Sequence, residues 1–371
     1  MATYRVIQWG VGGVGTWALR QVLDAPELEL VGVKCGTESK VGIDAGELAG
    51  REPAGVPATT DVDKLLALEA DIVVFMPRVS LKDPTVPGSP AAAWVDELVP
   101  VLESGKNVVS PIAAAMHYRH LADGASLIAR LNAACAKGGS SVFFTGVDPG
   151  FICDALAAVM TSSVADLAQV RTWEFIDYSN YPVPAVMNEL GFGMRPQDLD
   201  VTMMESLHAS WGCAPWLIAD ALGVELEDIR LDADFYLSPH TFTVAGGTHI
   251  EAGTIGATRW SLAGVVDGED RITINHVNRM GPDMAPEWPT IGDQGGYRIE
   301  MDAMPPYRGD FPLGGPGGTG TALDDAVVMT AARCVNSIAA VVQSAPGYKT
   351  LNDLPAFGGR FGLRPPKLLL R

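Results

Sequence analysis

Cysteine is scarce in this 371-residue chain: Cys35, Cys135, Cys153, Cys213 and Cys334 stand singly, with no CxxC pair and no histidine cluster beside them. That spacing disfavours a disulfide framework and a zinc site, and it fits reduced thiols in a cytoplasm. Basic residues are also short, 26 Lys and Arg against 44 Asp and Glu, for a formal net charge of -18. A nucleic-acid binder needs a basic face to displace counterions, so no nucleic-acid partner is expected. No window reaches about 18 consecutive apolar residues, and Met1 leads straight into a strand pattern without a basic leader, so neither a membrane span nor an export signal is expected. What is present, 47% hydrophobic residues over this length, suits two domains.

To about residue 150, short β-rich runs alternate with longer helical ones. Strands are expected at Tyr4–Trp9, Leu28–Lys34, Ile72–Met76, Asn107–Val109 and Ser141–Thr145. Helical spacing recurs at Val14–Leu23, Val62–Leu68, Ala91–Leu102 and Leu121–Lys137. Strands alternating with helices predict a doubly wound α/β fold on a parallel sheet. After "GVDPGF", Gly146 to Phe151, one helical segment at Ile152–Met160 precedes β-rich runs such as Val170–Ile176, Phe242–Val244 and Arg271–Val277. This predicts a second, α+β domain over 151–325 on a mostly antiparallel sheet. The segment "GDFPLGGPGGTGTALDDA" is rich in glycine and proline and reads as a loop; Ala326–Val342 then reads as a buried helix that, with the tail 326–371, completes the first domain, 1–150.

The stretch Gly10-Val11-Gly12-Gly13-Val14-Gly15 follows a predicted strand and opens a predicted helix, the context in which GxGxxG forms a dinucleotide site in a Rossmann-type fold. Gly10 permits a tight turn, Gly12 lets the backbone approach a diphosphate, and Gly15 allows close helix–strand packing, while the helix N-terminus offers unpaired N–H groups to the anion. An Asp or Glu closing the second strand would bind the ribose 2′-hydroxyl of NAD. No carboxylate closes it here: Cys35, Gly36, Thr37, Ser39 and Lys40 follow, with Glu38 as the contrary feature. NADP (NADPH) is therefore the expected cofactor, with use of NAD left open and a plain polar turn as the alternative. Further strand ends place Met76, Pro77 and Arg78, then Ser110, Pro111 and Ile112, along the cofactor; Arg78 can equally be a solvated surface charge.

The runs "YRVIQWGVGGVG", "ELELVGVKCGTESKVGIDAGEL", "GKNVVSP", "GVDPGFICD" and "TAARCVNSIAAVVQSAPG" together resemble the dihydrodipicolinate reductase-like family, in particular the branch of 2,4-diaminopentanoate dehydrogenases and native amine dehydrogenases. The resemblance implies an N-terminal dinucleotide-binding domain, a second domain that forms a homodimer, and a nicotinamide hydride donor. It further implies that Val11, Gly12, Gly13 and Val14 contact the diphosphate, Ser39 and Lys40 the 2′-phosphate, and that Asn336 lies near the nicotinamide. Two departures stand out. The HHxxKxD motif of dihydrodipicolinate reductases is missing, "HYRH" at His117–His120 lacking its lysine and spacing. The glutamate that the amine branch carries after the strand equivalent to "NVVS" is replaced by Ala113, Ala114 and Ala115, which cannot transfer a proton.

Another group, or water, must then handle the proton that accompanies hydride transfer. In "WEFIDYSNYP", a strand period of two puts Trp173 and Phe175 on one face and Glu174, Ile176 and Tyr178 on the other. Glu174 and Tyr178 are the catalytic candidates, against the plain alternative of solvated strand charges. His208, in the helical "MMESLHASWGCAPWL", is a third, against a core or dimer-helix role. Phe151, Trp173, Tyr181, Met204, Trp211 and Trp288 are candidate substrate contacts, and Met280 and Met284 candidate covers of the pocket. His240, His249 and His276 show no ligand spacing, so no metal is expected. The expected protein is a cytoplasmic homodimeric NAD(P)H-dependent oxidoreductase acting on a small apolar carbonyl or imine; an amine dehydrogenase with another proton carrier and a non-catalytic nucleotide sensor are the alternatives.

Overall fold

The computed structural model describes residues 3–77, 90–199 and 201–359. They divide into two compact units, one of residues 1–146 with 327–371, the other of 147–326. The first unit begins β1 (Tyr4–Trp9), α1 (Gly13–Asp24), β2 (Leu28–Lys34), α2 (Ala45–Ala49), β3 (Ala58–Thr59), α3 (Val62–Leu66), β4 (Ile72–Phe75), α4 (Pro90–Glu103), β5 (Asn107–Ser110), α5 (Gly124–Gly138) and β6 (Ser141–Phe144). Short helices start where side chains cap them: Asp44 accepts from Gly46 N at 2.7 Å and Asp61 from Lys64 N at 3.0 Å. Gly139 ends α5 at φ 67°, a left-handed conformation that glycine adopts without penalty.

The second unit holds a π-helical turn (Ile152–Leu156), α6 (Ala157–Thr161), β7 (Ala165–Asp177), α7 (Pro184–Glu189), α8 (Val201–Trp211), α9 (Cys213–Leu222), β8 (Asp228–Leu237), the short pair β9 (Phe242–Thr243) and β10 (His249–Ile250), β11 (Ile255–Val266), β12 (Glu269–Arg279), β13 (Gly295–Met304) and β14 (Tyr307–Pro312). The chain closes with α10 (Ala322–Val342) and β15 (Gly347–Lys349). The segment read as one loop between Gly309 and Ala326 thus contains the end of β14 and the first turn of α10. Strand pairing with β13 holds Gly309 and Pro312 in place despite their poor strand propensity.

The first unit's sheet has seven strands in the order β15-β6-β5-β4-β1-β2-β3, all pairs parallel. This is a Rossmann-type doubly wound fold. The order reverses at β1 and β4, which brings the carboxyl ends of these two strands side by side at the point where such sheets take ligands. Val6, Ile72, Val74, Val109 and Phe143 pack against Ala331, Cys334, Val335 and Ile338 of α10. Full burial of each such aliphatic side chain is worth about 1.5–3 kcal/mol. Among the described residues α10 alone has the length and apolarity to cross a membrane, and this packed face is what its apolarity serves.

The second unit is an α+β layer on a six-stranded sheet ordered β14-β13-β7-β12-β11-β8; β7 and β12 run parallel and every other neighbour antiparallel. The π-turn and α9 pack against β7 and β12. Alternation along β7 sends Trp173 and Phe175 to one face, with Val277, Ile291 and Trp288. Ile176 and Tyr178 turn to the other face.

Candidate active site

In the first unit, Gly10 takes φ 98°, and a Cβ on it would lie 2.0 Å from Met76 O; only glycine lets the turn pass β4 this closely. A Cβ on Gly15 would lie 2.2 Å from Gly10 O, so α1 presses directly on the turn. Gly12 and Gly13 differ, because a Cβ at either would meet no atom within 4 Å. Their open faces leave the backbone accessible at the start of α1, whose first turn carries no acidic side chain to repel an anion. Gln8 Nε2 donates to Gly10 O at 2.9 Å, and Lys40 Nζ donates to Val11 O at 2.8 Å, so Lys40 reaches the turn itself. After β2, Cys35 is buried, Gly36 has open space beside it, and Thr37 and Ser39 are exposed with their hydroxyls 3.3 Å apart. The residues present fit a dinucleotide: an open glycine cradle, a helix N-terminus and a lysine within reach of both turn and ribose side.

Met76, buried, supplies the carbonyl against Gly10, and Pro77 follows it; Arg78 lies outside the described residues. Ser110, which ends β5, and Ile112 after it are buried, the Ser110 hydroxyl accepting from Ile112 N at 3.4 Å, with Pro111 between them. Ala113–Ala115 form a single 3-10 turn. Asn336 requires a correction. It lies on α10 beside Tyr4, Glu27 and Leu28, at the amino end of β1, a strand's length from the glycine turn.

In the second unit, register builds a polar group inside an apolar layer. Glu174 on β7 is paired across the sheet with His276 on β12 and with Tyr297 on β13. Glu174 Oε1 accepts from Asn278 Nδ2 at 2.9 Å and from the Tyr178 hydroxyl at 3.1 Å, and it faces His276 Nδ1 at 3.1 Å. Oε2 accepts from the Tyr297 hydroxyl at 3.2 Å. On the other side of the imidazole, Asp148 Oδ2 stands 3.1 Å from His276 Nε2, an ion-pair contact rather than an aligned hydrogen bond. The side chains of His276 and Asp148 are wholly buried and that of Glu174 nearly so. Trp260 stacks on the imidazole at 3.9 Å and Trp211 meets its edge at 4.9 Å.

Burial pulls the His276 pKa down, but the carboxylates of Glu174 and Asp148 outweigh it and raise it to about 9. Burial pushes Glu174 up, yet His276, Asn278 and Tyr178 hold it below the usual glutamate value. Asp148 has fewer donors, and burial raises it above the usual aspartate value. Tyr178 and Tyr297 are pushed well up by burial and by the charge of Glu174, so both remain hydroxyl donors. Asp148, Glu174 and His276 offer ligand atoms within 4.8 Å of one another. Both imidazole nitrogens already face a carboxylate oxygen, so an ion would have to displace one of these pairs.

Of the candidates, Glu174 and Tyr178 come together in this group, and Tyr181 lies edge-on to Tyr178 at 5.9 Å. Trp211 joins through His276. Phe151 opens the π-turn. Trp173 and Trp288 do not belong: both lie on the opposite face of the sheet from Glu174, where Trp173 stacks on Phe175 at 5.8 Å and Trp288 meets Tyr236 and Arg259. Strand alternation forces this separation. Met280 and Met284 are fully buried core residues, not a cover. Met204 is exposed on α8. His208 is half-buried on the same helix; burial lowers its pKa and Asp228 on β8 opposes the shift. Asp148, His276, Asn278 and Tyr297 were missed. The available signal was His276 and Asn278 two apart, hence on one face, in the strand-like run "ITINHVN".

A Rossmann-type sheet with an open glycine turn, joined in one chain to a unit with a buried acid–base group, defines a nicotinamide-dependent oxidoreductase. The family model for the C-terminal domain of 2,4-diaminopentanoate dehydrogenase matches residues 151–362. An amine dehydrogenase of Streptomyces virginiae is 33% identical over 355 residues, covering 94% of this chain and 95% of that protein. A 2,4-diaminopentanoate dehydrogenase of Acetoanaerobium sticklandii is 27% identical over 373 residues, covering 96% and 94%. A solved amine dehydrogenase structure from Mycobacterium smegmatis shares the fold, with a TM-score of 0.73, 19% identity and 98% of each chain covered. The chain belongs to the family of 2,4-diaminopentanoate dehydrogenases and amine dehydrogenases, and it is an NAD(P)-dependent oxidoreductase.

Proposed function

We propose that the enzyme acts on a small apolar imine or carbonyl, with Tyr178 exchanging the proton at the substrate heteroatom and Glu174 holding Tyr178 in place. The observation that carries this is Glu174, a carboxylate in an apolar layer with three donors and a histidine on it, one of those donors being the only half-buried Tyr178. Bound nicotinamide supplies or accepts the hydride. The names of the two relatives favour the imine, reached from an amine, over a free carbonyl. Lys40, Ser39 and the missing carboxylate after β2 favour NADPH over NADH. A homodimer in the cytoplasm completes the proposal; the five unpaired, buried cysteines suit a reducing compartment.

Glu174 accepts from Tyr178 and so orients its hydroxyl, while Asn278 and Tyr297 fix the carboxylate from the flanking strands. Trp211 and Trp260 keep water from the imidazole beneath. The test is NADPH oxidation over a panel of apolar ketones, with and without ammonia, in the native protein and in Tyr178→Phe. Turnover that requires ammonia supports the imine; turnover without it supports carbonyl reduction. Removing the Tyr178 hydroxyl should lower turnover about 100-fold, the lower range for a positioned acid or base, with cofactor binding unchanged. Undiminished turnover in that variant removes Tyr178 from the chemistry.

A further inference from the structure

The proton route proposed above ends at Tyr178 and Glu174, and nothing there restores the proton that Tyr178 gives up. We propose that Asp148, His276 and Glu174 form one buried proton store, with His276 as the imidazolium that resupplies Tyr178 through Glu174. His276 and Asp148 would be positioning residues, acting through Glu174. This rests on the function proposed for Tyr178.

The geometry comes first. A neutral imidazole has one N–H, yet both ring nitrogens of His276 face a carboxylate oxygen at 3.1 Å. Two acceptors on two sides of one ring call for two protons among the three residues. Trp260 lies flat on the ring at 13°, leaving the two carboxylates as its polar partners in the plane. Glu174 Oε1 takes both His276 Nδ1 and the Tyr178 hydroxyl, so a single oxygen joins the store to the donor.

Of the other titratable groups facing the store, the thiols and phenols are neutral at ordinary pH. Cys153 on the π-turn and Cys213 on α9 are thiols pushed well up by burial, and Tyr178 and Tyr297 are pushed up likewise. Asp154, the remaining acid on that side, is held by Gly150 N at 2.6 Å. The proton therefore has only the trio to occupy.

The step balances. The Tyr178 O–H bond breaks as the substrate heteroatom gains its proton, and it is remade with a proton passed from His276 Nδ1 by way of Glu174 Oε1. The net change is imidazolium to imidazole, one proton, while the electron pair travels with the hydride from the reduced nicotinamide. A proton taken up at the half-buried Tyr178 returns to His276 through Glu174 Oε1, with Asp148 holding the charge of the ring, and resets the store.

The experiment is nitrogen NMR of the full chain labelled at its six histidines. His276 is recognised by the ring-current shift from Trp260 and checked by the loss of its signal in His276→Gln; the first marker serves if that variant does not fold. Both ring nitrogens should show imidazolium shifts at neutral pH and convert near pH 9. In Asp148→Asn the conversion should move to lower pH, where the proton concentration is at least tenfold higher. Ketone reduction by the native enzyme should fall along the same conversion. A neutral imidazole at neutral pH, or turnover that stays flat through the conversion, overturns the proposal. Failure of the proposed function is read separately, as full turnover in Tyr178→Phe, and does not alter the NMR result.

Discussion

Gly12→Ala and Gly15→Ala should fail in opposite ways. Gly12 caps α1 at φ -83° and ψ -159°, a conformation alanine adopts freely, and its Cβ would enter open space. The apoprotein should lose about 1 kcal/mol or less, the range for replacing a favourable N-cap residue by alanine, or about 2 °C in Tm. The same methyl would stand where a diphosphate must approach the backbone. Two charge-assisted N–H contacts at about 1.5 kcal/mol each amount to about 3 kcal/mol, more than 100-fold in NADPH affinity. At Gly15 the Cβ would meet Gly10 O at 2.2 Å, and the carbonyl belongs to backbone that cannot swing aside. Relief needs a shift of about 1 Å in the turn or in α1, at a cost of about 3 kcal/mol and about 6–12 °C in Tm. Differential scanning calorimetry of both apoproteins, with calorimetric NADPH titration of Gly12→Ala, gives the comparison. NADPH binding by Gly12→Ala at native affinity would refute the cradle.

Lys40→Ala should weaken NADPH by about tenfold more than NADH, one phosphate contact being worth about 1–3 kcal/mol; a smaller loss common to both follows from its bond to Val11 O, and equal losses in fluorescence titration would contradict the NADP assignment. Stability should also respond to pH. The His276 pKa is raised on folding, so its stabilisation is complete below about 6.5 and drains as pH approaches about 9. Tm should fall across that interval in the native protein and stay flatter in His276→Gln.

How much was visible beforehand varied with the physics. β1 and β2 carry the boundaries expected for them, because the glycine turn and the run of apolar residues fix both ends. The wall of Glu174 and Tyr178 follows from strand periodicity alone. That period also put Trp173 on the other face, and placing it in the same pocket ignored this. The partners of Glu174 were hidden because His276 lies 102 positions away and Tyr297 123. Only the strand register brings them together, and a single sequence does not encode register in any local pattern. β8 shows the converse difficulty. Asp228–Leu237 alternates charged and apolar side chains, and its role as an edge strand is set by β11.

The parallel sheet of the first unit has a seam that joins segments more than half the chain apart. Ser141 Oγ donates to Ala345 O, 204 positions further along the chain, and β15 docks on β6 only once that stretch has been made. A ribosome therefore releases the first six strands with β6 unpaired on one side and the apolar surface under α10 uncovered. Until the last helix arrives, the nascent half-sheet must be kept from other strands, so truncation before residue 322 should leave an aggregation-prone fragment rather than a smaller working domain.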